Sequence, residues 1–253
     1  MNIPDFSLLG KTALVTGASG GLGLGFAVAL AAHGADVIIT ELPSKLKTTQ
    51  ATLELIRSYG REARAIGLDV QSVSQCREVA LEAGTVDILV NNAGVNRVQW
   101  AEDVTEENWD LVLDTNLKGA FFLTQAIGKG MIARGQGGRV INIASQNGII
   151  GYYQRAAYCS AKAGLINQTR VLALEWAKHG ITVNAIAPTF VLTPLTAQTF
   201  SQPDIKADLE RRIPLGRIAT VDDILGACVF LASSASGFVT GHTLAVDGGW
   251  TAI

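Results

Sequence analysis

The sequence predicts an α/β chain built on one doubly wound parallel sheet of about seven strands, with helices on both faces. Three observations predict it. Short, almost wholly apolar runs rich in β-branched residues recur from end to end, as expected of strands covered on both faces. Stretches of helical periodicity stand between them, and such alternation implies parallel strands. The 253 residues are 48% hydrophobic and only 17% charged, enough apolar material for one sizeable core and too little charge for a disordered chain. No composition shift marks a linker, so a single unit spanning 1–253 is expected.

The elements follow in order. "TALVT" (12–16) reads as a buried strand and "LGLGFAVALAAHG" (22–34) as an alanine-rich helix closed by Gly34. "DVIIT" (36–40) is the second strand, and helical periodicity returns after Pro43. Further strands are expected at 61–70, 86–92, 138–145, 181–188 and 242–246, and helices near 72–83, 106–134, 157–179 and 221–233. The stretch from about 189 to 215 breaks the alternation. An irregular segment of that length reads as a lid or a substrate loop.

Several classes of function are disfavoured. A net charge of −2 offers no basic footprint for nucleic acid. The start, "MNIPDFSLLG", has neither a basic region nor a long apolar run, and no apolar stretch reaches the roughly 18–20 residues needed to span a bilayer. Cys76, Cys159 and Cys228 are odd in number and widely spaced, which suggests neither disulfides nor a zinc site. The three histidines form no cluster, so no metal is expected. A cytoplasmic setting fits.

After the first strand, "TGASGGLG" (16–23) leads straight into a helix. Gly17, Gly21 and Gly23, with Ser19 and Leu22 between them, permit a tight turn and close approach of backbone to ligand. The helix N-terminus then presents unpaired N–H groups to a pyrophosphate. The spacing G-x-x-x-G-x-G differs from the common dinucleotide fingerprint, and by itself a glycine-rich turn would look the same. Glu41 ends the second strand 18 residues past Gly23, where an acid binds the adenosine ribose hydroxyls. A carboxylate there repels a 2′-phosphate, which favours NAD over NADP, although Lys45 and Lys47 lie close enough to reach one. As a bare residue, Glu41 reads equally as a solvated strand-end charge.

Four further motifs follow in order: "NNAG" (91–94), "DTNLKG" (114–119), "NIAS" (142–145) and "YCSAK" (158–162). Together with the glycine loop, the series resembles the short-chain dehydrogenase/reductase family over essentially the whole chain. The resemblance implies a Rossmann-type fold and a nicotinamide cofactor. It implies a catalytic tetrad of Asn116, Ser145, Tyr158 and Lys162. It places Asp69 and Val70 at the adenine, and Asn91, Ala93 and Gly94 beside the cofactor. Pro188, Val191 and Thr193 fall at the nicotinamide carboxamide, with Tyr158 and Lys162 also touching the cofactor. The chain departs from the family's usual Pro-Gly at Pro188-Thr189, so a differently shaped turn is expected there. The ending "GHTLAVDGGW" (241–250) is similar to family termini that pack in a dimer of dimers, which implies a homotetramer.

The implied chemistry needs these residue types. Oxidising an alcohol requires a base that ionises near neutral pH beside the hydride acceptor. A free tyrosine, at about 10, is too weakly acidic, and a neighbouring ammonium from Lys162 together with the positive nicotinamide ring would lower it. In the family's scheme Ser145 orients the substrate oxygen, and Asn116 holds a water that connects Lys162 to solvent. Segments such as "NNAGVNR" (91–97) and "RIPLGR" (212–217) are similar to the branch acting on sugar acids and polyols. Arg97 could pair with a substrate carboxylate, and Gln146 and Arg155 are further substrate candidates. Each arginine reads equally as a surface salt bridge. The expected partner is a small alcohol or ketone. Two other readings stay open: an NADPH-dependent 3-oxoacyl-[acyl-carrier-protein] reductase, which Glu41 and Gly20 disfavour, and a non-catalytic dinucleotide sensor.

Overall fold

The apolar runs assemble as seven parallel strands in the order β3-β2-β1-β4-β5-β6-β7. A computed structural model describes residues 3–193, 196–201 and 203–252. The strands are β1 (Thr12–Thr16), β2 (Asp36–Glu41), β3 (Ala63–Gly67), β4 (Ile88–Asn91), β5 (Gly138–Ile143), β6 (Ile181–Pro188) and β7 (Thr243–Val246). The α-helices are α1 (Gly21–Ala32), α2 (Gln50–Ser58), α3 (Val73–Ala83), α4 (Glu106–Leu113), α5 (Ala120–Arg134), α6 (Ala156–Trp176), α7 (Ala197–Phe200), α8 (Pro203–Arg212) and α9 (Asp222–Ala232).

Strand periodicity of two sends neighbouring residues to opposite faces. Val15, Ile39, Val90 and Ile141 pack with Phe26, Leu30 and Ile56, and with Ile224 and Leu231 of α9. Leu14, Ile38, Leu89 and Val140 pack on the other face with Val79, Leu123, Met131 and Leu172. Both faces are therefore dry, and the strands carry no polar alternation.

The chain reverses direction across the sheet between β1 and β4, the point at which such sheets bind ligands outside their carboxyl ends. Thr16, Glu41, Gly67, Asn91, Ile143 and Pro188 all end their strands on that edge. A buried polar ladder fixes its depth. Asn91 Nδ2 donates to Thr124 Oγ1 at 2.7 Å and to Asn142 Oδ1 at 2.8 Å, and Asn142 Nδ2 donates to Thr169 Oγ1 at 2.9 Å. These bonds lock β4 and β5 to α5 and α6.

Two expectations need correction. The helix expected over 106–134 is interrupted: residues Asp114–Gly119 form a π-helical turn, a feature that inserts an extra residue per turn and is frequent at functional sites. The stretch expected to be irregular, 189–215, contains α7 and α8; its positions 194, 195 and 202 lie outside the described residues. Apolar Leu209 and Ile213 seat it on Trp250, Tyr152 and Phe190. Thr189 avoids positive φ, as a β-branched residue should. Gln154 is the one non-glycine with positive φ among the described residues, and Thr189 N donates to Val246 O at 3.2 Å, continuing the β6–β7 pairing.

Candidate active site

The glycine loop is closed by side chains rather than by glycine alone. Thr16 Oγ1 accepts from Asn92 N (3.0 Å) and Ala93 N (2.9 Å), while Asn92 Nδ2 donates to Thr16 O (2.9 Å) and Gly17 O (3.0 Å). Thr52 Oγ1 donates to Ala18 O at 3.0 Å from the α2 side. Gly17 and Gly21 have φ of +63° and +55°, and a Cβ on Gly23 would lie 2.2 Å from Gly17 O. No side chain caps the N-terminus of α1, so its first N–H groups face the edge unspent. This cradle suits a pyrophosphate.

At the end of β2, Ser19 Oγ donates to Glu41 Oε2 at 2.5 Å and Leu42 N donates to Oε1 at 3.0 Å. The carboxylate is thus held against the loop, a fit for a ribose diol. Lys45 and Lys47 are exposed on the 3₁₀ turn Pro43–Thr49. Asp69 and Val70 follow β3, with Asp69 Oδ1 accepting from Gln71 N at 3.0 Å. A Cβ on Gly21 would sit 3.6 Å from Thr193 Cβ, so Thr193 closes over the start of α1. Val191 bridges to Ala219.

Ser145 follows β5 in extended backbone and accepts from Asn147 N at 3.1 Å. Tyr158 and Lys162 lie one turn apart on α6, with Lys162 Nζ 5.6 Å from the Tyr158 ring centroid. The Lys162 ammonium is buried and donates to Ile143 O at 2.7 Å. Gly148 sets the spacing between the Ser145 turn and α6, because a Cβ there would lie 2.7 Å from the Lys162 carbonyl carbon. Asn116 occupies the π-helical turn, its Nδ2 donating to Val95 O (2.8 Å) and Val112 O (2.9 Å).

Burial pushes the Tyr158 phenol above its ordinary value, while the Ser145 hydroxyl and the charge of Arg155 act in the opposite direction. Burial also pulls Lys162 down to about 8, with its Nζ 5.6 Å from the Tyr158 ring centroid.

Among the substrate candidates, Arg97 is exposed, and its Nη1 donates to the neighbouring Asn96 O at 3.2 Å. Gln146 is 1% exposed, and neither end of its amide has a hydrogen-bond partner. Thr16, Asn92 and Thr52 went unnoticed as loop clamps in the sequence. Thr16 and Asn92 lie inside the quoted motifs, while nothing local distinguishes Thr52.

A family model described as enoyl-(acyl carrier protein) reductase matches residues 17–251. A 2-dehydro-3-deoxy-D-gluconate 5-dehydrogenase of Bacillus subtilis is 46% identical, over 97% of this chain and 96% of its own. A D-threitol dehydrogenase of Mycolicibacterium smegmatis is 42% identical, over 98% and 95%. The crystal structure of an Agrobacterium tumefaciens protein described as a putative 2-deoxy-D-gluconate 3-dehydrogenase, with bound NADP, superposes with a TM-score of 0.92 at 42% identity, covering 98% of this chain and 99% of that one. These relatives are named as dehydrogenases of sugar acids and polyols, and the crystal structure holds NADP. With the glycine cradle and the Ser145–Tyr158–Lys162 cluster on one sheet edge, the chain belongs to the short-chain dehydrogenase/reductase family.

Proposed function

We propose that the protein is an NAD-dependent dehydrogenase that interconverts a secondary alcohol and a ketone on a sugar acid or polyol. The observation that carries this reading is the packing of the Ser145 turn against α6, which bears Tyr158 and the buried Lys162 one turn apart, on the same sheet edge as the glycine cradle. A bound nicotinamide dinucleotide supplies the hydride acceptor, or the donor in the reverse direction. Gly17, Ser19, Gly21, Leu22 and Gly23 hold its pyrophosphate, and Glu41 its adenosine ribose. Asp69 and Val70 flank the adenine, and Asn91, Ala93 and Gly94 line the groove. Pro188, Val191 and Thr193 hold the carboxamide end.

In this reading Ser145 Oγ donates to the substrate oxygen, and the Tyr158 phenolate takes the hydroxyl proton as the alcohol is oxidised. Lys162 anchors the nicotinamide ribose and passes the proton towards solvent through water held at Asn116. Arg97 pairs with a substrate carboxylate, and Gln146 and Arg155 line the substrate side. The segment 189–215 is the substrate loop of a single domain. Glu41 disfavours a 2′-phosphate and so selects NAD. Among the described residues no helix is long and apolar enough to cross a membrane, and a cytoplasmic homotetramer is the form we infer. Exposed Leu174 and Phe238 offer apolar contact surface for it.

Initial rates with polyols, aldonates and keto acids, each with NAD and NADP, test the reading. Faster turnover with NADP would overturn the role of Glu41. Tyr158→Phe is expected to cut kcat by roughly 10³-fold or more while dinucleotide affinity, read by nicotinamide fluorescence, stays within about twofold of wild type. Arg97→Ala is expected to raise KM for acidic substrates alone; an equal rise for neutral polyols removes it as a carboxylate anchor.

A further inference from the structure

α8 has few holds of its own. Leu209 is its one buried side chain among the described residues. Its ion pairs, Lys206 with Glu210 and Asp208 with Arg211 and Arg212, stay within the helix. Such pairs do not fix a helix to the body beneath it, and exposed ones are worth little in any case. The docking contact comes instead from the turn that follows β7. Trp250 is buried there in one cluster with Leu209 and with Ile213, the residue just past α8.

The same ring reaches the loop between Ser145 and Tyr158. Its centroid lies 6.1 Å from that of Tyr152 and 5.6 Å from that of Phe190, and the Tyr152 and Phe190 centroids lie 5.3 Å apart. At such spacings tilted and edge-on aromatic pairs attract one another. Tyr152 belongs to that loop, and Phe190 follows Pro188 at the end of β6. Trp250 therefore packs at once with α8, with the loop that leads to Tyr158 and with the end of β6.

The turn that carries Trp250 is itself firmly set. Asp247 is buried, and its carboxylate accepts from Gly249 N at 2.9 Å, Thr251 N at 2.9 Å and Thr251 Oγ1 at 2.6 Å. Gly248 and Gly249 have φ of +64° and +93°. A Cβ would lie 2.6 Å from Ile213 Cγ2 on the first and 3.1 Å from Pro214 Cγ on the second. Leu215 N donates to Gly248 O at 3.1 Å. The turn is thus keyed into the residues that leave α8. The glycine cradle stands apart from this cluster, after β1 and on the far side of β4 and β5.

We propose that Trp250 is a positioning residue for the alcohol substrate: it docks α8 onto the loop between Ser145 and Tyr158 and so fixes the wall of the substrate side, away from the dinucleotide cradle. The proposal rests on the Ser145–Tyr158 edge being the site of alcohol oxidation, so one arm of its test is independent of turnover. In that arm trypsin acts on the folded protein, and cuts after Lys206, Arg211 and Arg212 are mapped by mass spectrometry. Trp250→Ala is expected to speed those cuts about tenfold, because a helix that opens more often is cut more often. Trp250→Phe keeps a ring in the cluster and should stay close to wild type. In the kinetic arm, Trp250→Ala raises KM for a polyol about tenfold while kcat changes less than about threefold, and dinucleotide affinity is unchanged. Unaltered cleavage in Trp250→Ala overturns the proposal, since α8 is then docked without the ring. Faster cleavage at unchanged KM overturns it as well, since α8 then has no part in holding substrate. A loss of dinucleotide affinity equal to the rise in KM makes Trp250 a general structural residue and also overturns it. A wild-type protein that oxidises no polyol or aldonate defeats the proposed function instead, and cleavage alone still decides whether Trp250 docks α8. Leu209→Ala removes the other side of the same contact and gives the same readings where Trp250→Ala folds poorly.

Discussion

The cofactor side and the substrate side of one sheet edge are built in opposite ways. Around the glycine loop the polar groups are spent on one another: Thr16 with Asn92 and Ala93, Thr52 with Ala18, Ser19 with Glu41. Across the edge, Gln146 is buried with both amide ends unpaired, Asn147 Oδ1 and Thr189 Oγ1 are buried without partners, and Arg155 has only a neighbouring carbonyl. Each such unsatisfied group costs about 1–3 kcal/mol. On the proposed reading, the contrast is between a preorganised dinucleotide cradle and a substrate side whose unpaired polar groups suit a polyhydroxylated ligand.

The largest expected effect breaks the first half of that comparison. Gly23→Ala places a Cβ 2.2 Å from Gly17 O, and backbone on both sides leaves no room to yield. Dinucleotide binding, measured by calorimetry, should be lost, while circular dichroism keeps the signal of the helices that cover the sheet. Retained binding would mean the cradle is adaptable after all.

The second falls on Lys162, at the boundary between the halves. Its folded pKa of about 8 lies below the ordinary lysine value, so between those values the unfolded chain binds more protons and stability rises with pH. Below pH 8 the folded state carries a burial penalty on the order of 3 kcal/mol. Lys162→Met should therefore gain most over wild type below pH 8, and that gain should shrink up to about pH 10.5. Parallel Tm–pH curves for the two proteins would show that the ammonium is not strained by burial.

The smallest effect sharpens the second half. Gln146→Leu removes a buried amide that has no partner, and chemical denaturation should show stability unchanged or raised by about 1 kcal/mol. KM for the alcohol substrate should rise about tenfold, the worth of one hydrogen bond to ligand. A loss of stability at unchanged KM would make Gln146 a structural residue and erase the contrast.

Much of this site was legible in the residues. The apolar runs could only be strands covered twice, and the glycine spacing could only be useful at a strand-to-helix turn. Tyr158 and Lys162, four apart, had to share a helix face. Other features were not legible, because they depend on atoms far apart in the chain. Thr52 reaches Ala18 across 34 positions, and the π-helical turn at 114–119 leaves no mark on hydrophobic periodicity. The helices in 189–215 were missed because their apolar residues face a satellite cluster around Trp250 rather than the sheet.

By itself, then, the sequence determined the sheet and the order of its motifs, since these follow from local periodicity and residue type, while the type of chemistry came from the family resemblance those motifs carry. Only the tertiary structure decided how the partner of Tyr158 is held. Four-residue spacing places Lys162 beside it, but burial lowers that ammonium to about 8, and its Nζ donates to Ile143 O. Desolvation and orientation are properties of the packed molecule, and no spacing encodes them.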